Sequence, residues 1–66
     1  MKFTVNGESR TAATAPTVAE LVDETVGVRE GVAVALDGAV VPASAWAETS
    51  ITDGAEVDVL TAVQGG

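Results

Sequence analysis

A chain of 66 residues with ten acidic and three basic side chains, a formal charge of -7 and neither Cys nor His makes one small domain with few chemistries open to it. At this length folding buries only about 60% of the unfolded surface, and without Cys no disulfide, cysteine metal site or iron–sulfur cluster can reinforce the core. The acidic balance excludes nucleic acid and disfavours an anionic membrane; with His and Tyr missing, carboxylates, Ser and Thr are the catalytic inventory, so neither a catalytic nor a metal site is expected.

Lys2 to Val5 alternates, with Phe3 and Val5 on one side and Lys2 and Thr4 on the other, which predicts a strand. Asn6-Gly7 follows as a two-residue hairpin signal, because both residues tolerate positive φ. Ser9–Ala13 is the expected antiparallel return. Thr17 with Glu20 three residues on forms a capping box behind Pro16. Val18, Leu21, Val22 and Val26 then share one face and Glu20, Asp23 and Glu24 the other, which predicts an amphipathic helix of two to three turns. Gly27 stands where a C′ residue ends it.

Val32–Leu36 is a continuous apolar run closed by a second hairpin signal, Asp37-Gly38, with Ala39–Val41 returning and Pro42 stopping the strand. Ala43–Thr49 is irregular or a short helical turn around Trp46, which is expected to lid the core. Asp53-Gly54 turns the chain into a last strand, Glu56–Val63, with Val57, Val59 and Val63 on one face and Glu56, Asp58, Leu60 and Ala62 on the other. The order β-β-α-β-β-β in one short chain predicts an α+β fold, a single mixed sheet with one helix on one face. With its first and last strands side by side, this is a ubiquitin-like β-grasp. The expected division is a β-grasp domain over 1–63 and a flexible Gly-Gly tail over 64–66.

The tail is the least ordinary feature. Two glycines offer a thin, unbranched arm with an unhindered carboxylate, suited to a narrow active site on another protein. The alternative is a frayed end, since termini are commonly disordered. The acidic surface likewise has two readings, docking to a basic protein face or solubility alone. Glu56 and Asp58, with Glu48 or Asp53, lack the spacing of a calcium loop and are expected to be a solvated face. Ser9, Ser44 and Ser50 have no His to activate them. The Asp-Ser-Leu of acyl carrier proteins is absent. No apolar run approaches the roughly 18 residues of a membrane span, and the first residues carry no secretory pattern, so the expected compartment is the cytoplasm.

Taken together, these pieces resemble the ThiS family, the sulfur carrier proteins of thiamin biosynthesis, over the whole length. The resemblance rests on the strand ending in Asn6-Gly7, Thr17-Val18-Ala19-Glu20-Leu21-Val22, and Gly31-Val32-Ala33-Val34-Ala35-Leu36-Asp37-Gly38. It continues in Val40-Val41-Pro42 followed by Trp46, in Ile51 with Asp53-Gly54, and in the closing Gly65-Gly66. Two departures are mild: Ala43 stands where the family often has a basic residue, and Asp37 where it often has Asn.

The resemblance implies that Gly66 is adenylated by an ATP-dependent activating enzyme of the ubiquitin-activating type. Gly66 then takes sulfur that originates from a cysteine desulfurase or another donor, and passes it as a thiocarboxylate to thiazole synthase. Gly65 and Gln64 would lead into the partners' active sites. Leu60 and Ala62 would dock on the sheet face opposite the helix, flanked by Ala33 and Ala35. Docking of the body must offset the ordering of the tail, about 1–2 kcal/mol per residue. The chain would bind no cofactor itself, ATP being used by the partner, and would be no enzyme. A chain without Cys or His fits a carrier whose chemistry sits at its terminus and is supplied by partners. A molybdenum-cofactor sulfur carrier or small ubiquitin-like modifier shares fold and tail, but the Val40-Val41-Pro42 to Trp46 spacing and the short length argue against both. A plain β-grasp interaction module, with an incidental Gly-Gly, is the reading from another class.

Overall fold

The computed structural model describes residues 1–61. The chain runs β1 (Lys2–Val5), β2 (Glu8–Thr11), α1 (Val18–Thr25), β3 (Val32–Leu36), β4 (Ala39–Val41), a 3-10 helix (Ala43–Glu48) and β5 (Glu56–Thr61). The strands form one sheet in the order β2-β1-β5-β3-β4. β1 and β5 lie side by side in parallel, and every other pairing is antiparallel. This mixed five-stranded sheet with one α-helix is the ubiquitin-like β-grasp, as expected. The face expected for Val63 and the division between a 1–63 domain and a 64–66 tail fall outside the described residues.

Both hairpins owe their register to two-residue turns. Asn6 and Gly7 sit at φ +52° and +84°, Asp37 and Gly38 at +51° and +85°. Positive φ at both central positions is the type I′ geometry, whose twist matches that of paired strands. A two-residue loop makes Val5 face Glu8, so β2 starts at Glu8 rather than at Ser9. It ends at Thr11, opposite Lys2, because β1 has no further strand residue to pair; Ala12 only exchanges hydrogen bonds with Met1.

Helix α1 begins as its sequence requires. Thr17 is extended, its hydroxyl accepts from the Glu20 N–H at 3.1 Å, and Glu20 Oε1 accepts from the Thr17 N–H at 2.9 Å. At the other end the Val26 and Gly27 N–H groups both donate to the Val22 carbonyl, with Gly27 at φ +86°. The helix lays Val18, Ala19, Leu21 and Val22 on the sheet.

The core is one layer: Phe3 and Val5 of β1, Val34 of β3, and Val57 and Val59 of β5, closed by the helix, Ile51 and Ala55. Trp46 plugs it at 1% exposure, and its Nε1–H donates to the Val41 carbonyl at 2.8 Å. The lid role expected for Trp46 is thus observed. The start of α1 and the stretch that follows the 3-10 helix are tied together by Val18 N–H to Thr49 O and Ile51 N–H to Pro16 O. All this burial uses one side of the sheet. Among the described residues no element packs on the other side, and that is what the fold leaves for function.

Candidate functional site

On β5 the strand period of two sends Val57 and Val59 into the core and Glu56, Asp58 and Leu60 to the open face. Register then dictates what stands beside them. Ala33 is opposite Leu60, Ala35 is opposite Asp58 and, on its other side, Val40. Directly paired residues point to the same side of a sheet. Leu60, Ala33, Ala35 and Val40 therefore form one apolar band across β5, β3 and β4. Leu60 is 67% exposed and Val40 78%. The two alanines leave a shallow floor between two larger side chains. Asp58 and Glu56 continue the face along β5 toward Thr4, which pairs with Glu56. A small apolar centre with an acidic border has the make-up of a protein docking patch rather than a small-molecule site, which would be concave.

Leu60, Ala33 and Ala35 lie where the sequence placed them. Val40 is the functional candidate that sequence reading missed, although the signal was present. Once Asp37-Gly38 is a two-residue turn, Leu36 must face Ala39 and Ala35 must face Val40. If Ala35 points outward, Val40 does too. Ala62, Gln64, Gly65 and Gly66 lie outside the described residues, five positions at most beyond Thr61, the end of the strand that carries Leu60.

The acidic side chains divide by duty. Asp53 Oδ1 accepts from the Lys2 N–H at 2.6 Å, and Asp37 Oδ1 accepts from the Glu56 N–H at 2.9 Å. Glu20 belongs to the helix cap. Asp23 takes a bidentate bond from Arg29 at 2.8 and 3.0 Å, which holds its carboxyl below the usual carboxylate range. Glu24 lies 3.7 Å from Arg10. Asp53 Oδ1 is thus engaged with the β1 backbone, and among the described residues no group of three potential ligands could hold a metal ion.

Residues 3–66 match the ThiS family. The crystal structure of a thiamine biosynthesis protein (ThiS) from Geobacter metallireducens superposes with a TM-score of 0.82 at 35% identity, covering 100% of both chains. The NMR solution structure of a thiamine biosynthesis protein from the same organism gives a TM-score of 0.80 at 34% identity, over 100% of this chain and 88% of that one. No curated protein matches the chain.

Proposed function

The chain belongs to the ThiS family, and we propose that it acts as the sulfur carrier of thiamin biosynthesis, with Gly66 as the loaded residue. The observation that carries the proposal is the whole-length match that includes the Gly65-Gly66 ending, on a body whose open sheet face leads along β5 toward that ending.

A carboxylate resists nucleophiles because resonance and negative charge both oppose attack. A Gly66 carboxylate oxygen attacks the α-phosphorus of ATP on an activating enzyme, and pyrophosphate leaves. Sulfur then attacks the acyl adenylate and expels AMP. If hydrosulfide attacks, the product is the thiocarboxylate at once. If a persulfide attacks, a thiol must reduce the resulting S–S bond to free it. The thiocarboxylate goes to thiazole synthase as a sulfur nucleophile. The chain contributes no base and no metal to these steps; its own part is to dock and to present the terminus.

Docking falls to Leu60, Ala33, Ala35 and Val40, with Asp58 and Glu56 meeting a basic border on the partner; the same role is proposed for Ala62, and Gln64 and Gly65 are proposed to enter the partner's active site. The thiamin destination is favoured over the molybdenum cofactor by the family match.

The test is intact-mass measurement after incubation with ATP, the thiamin-pathway activating enzyme and sulfide. Exchange of one oxygen for sulfur is expected in the full chain, and no change in a chain lacking Gly65 and Gly66. An unmodified full chain with an enzyme that activates its own carrier would contradict the proposal.

A further inference from the structure

β1 enters the Asn6-Gly7 turn after Val5, and its ladder with β5 ends there, at Val5 opposite Val57 and the Asn6 N–H donating to the Val57 carbonyl at 2.8 Å. β5 itself continues to Thr61. On this side the next backbone groups of β5, those of Val59, are met by a side chain instead of a strand. Asn6 Oδ1 accepts from the Val59 N–H at 2.8 Å, and Asn6 Nδ2 donates to the Val59 carbonyl at 3.2 Å. A carboxamide carries one acceptor and two donors, much as a peptide group carries one of each, so Asn6 adds one rung to the ladder after its strand has turned away.

Two demands meet on this residue. The turn requires φ +52°, which Asn adopts more readily than most side-chain-bearing residues. The rung requires an acceptor and a donor at that same place. Gly would satisfy the turn and lose the rung. Asp would satisfy the turn and keep the acceptor, but would set a carboxylate oxygen against the Val59 carbonyl.

The position of the rung matters more than its strength. Val59 directly precedes Leu60 of the docking band and stands seven residues before Gly66. Seven residues can reach roughly 23–25 Å, so a tail drawn out in a partner's channel brings Gly66 to the reacting position only if β5 leaves the body in the right place and direction. On its other edge β5 is held by β3 out to Thr61 opposite Val32. Losing the rung therefore releases one edge of β5 without removing the strand from the sheet.

We propose that Asn6 is a positioning residue for activation: its amide fixes the direction in which β5 leaves the body and thereby aligns Gly66 in the partner. This rests on the sulfur-carrier reading. It assigns two separable tasks, docking to Leu60 and alignment to Asn6.

The test is steady-state adenylation by the thiamin-pathway activating enzyme, followed as pyrophosphate release over a range of carrier concentrations. Asn6→Gly is expected to lower the rate at saturating carrier by about tenfold, since a misplacement near 1 Å can cost up to about 10²-fold. It should leave the half-saturating concentration unchanged, and Leu60→Glu should do the reverse. Circular dichroism establishes that Asn6→Gly is folded; if it is not, Asn6→Asp takes its place in the same assay. A folded variant with the wild-type saturating rate, or with only its half-saturating concentration raised, overturns this inference alone. A wild-type chain that is never adenylated overturns the carrier reading, and this inference with it.

Discussion

Trp46 and Leu60 mark the two ways a large apolar side chain is used in so small a protein. Trp46 is fully packed and also satisfies the Val41 carbonyl. Trp46→Ala should cost about 3–5 kcal/mol, against a total of about 5–15 kcal/mol for typical domains. The variant is therefore expected to be largely unfolded at physiological temperature, as urea titration would reveal; a stability loss under about 1 kcal/mol would contradict the lid role. Trp46→Phe keeps most of the packing but strands a carbonyl, for about 1–3 kcal/mol. Leu60 is exposed, so Leu60→Glu and Val40→Glu should alter stability by no more than about 0.5 kcal/mol. Both should raise the carrier concentration needed for half-maximal adenylation, and unchanged kinetics would remove the band from docking. Leu60 was legible from strand alternation alone. Asn6 was legible only as a turn residue, because its amide meets a backbone fifty-three positions away and no local pattern encodes that meeting.

At the scale of elements, turn and cap chemistry carried most of what could be read. The capping box at Thr17 and Glu20, the Gly27 end and both type I′ turns follow from side-chain hydrogen bonding and positive φ within a few residues. Thr17→Ala should cost about 1 kcal/mol by chemical denaturation, more than Glu24→Ala on the exposed side of α1. The start of β2 was misplaced by one residue because turn length, not composition, decides where a return strand begins. The pair between Asp23 of α1 and Arg29 ties the helix to the loop that follows it. Its lowered carboxyl means that its stabilisation is present above the ordinary aspartate range and fades as pH falls through the lowered value. Both groups are exposed, so the effect on stability should be slight and screened by salt. NMR titration should find Asp23 ionising below its usual value, and Arg29→Gln should return it there; a midpoint unmoved by that substitution would exclude the pair as the cause.

The whole molecule separates its duties by face. One side of the sheet takes the helix, the 3-10 helix and the core; the other, among the described residues, exposes an apolar band and acidic border that include β5. The strand order with β1 beside β5 was legible because the element order admits few compact arrangements. The destination of the sulfur rests on family membership, since a Gly-Gly end is common to several kinds of carrier. The acidic border predicts that association with the activating enzyme weakens as ionic strength rises, as measured by the half-saturating carrier concentration; indifference to salt would assign the charge to solubility. The central claim is that this chain delivers sulfur from Gly66 to the thiazole of thiamin. Chain carrying radiolabelled sulfur at Gly66, incubated with purified thiazole synthase and its other substrates, tests it most directly. The account predicts label in the thiazole product and its loss from the protein. Label retained by the protein, or accepted only by the large subunit of molybdopterin synthase in a parallel incubation, would contradict it.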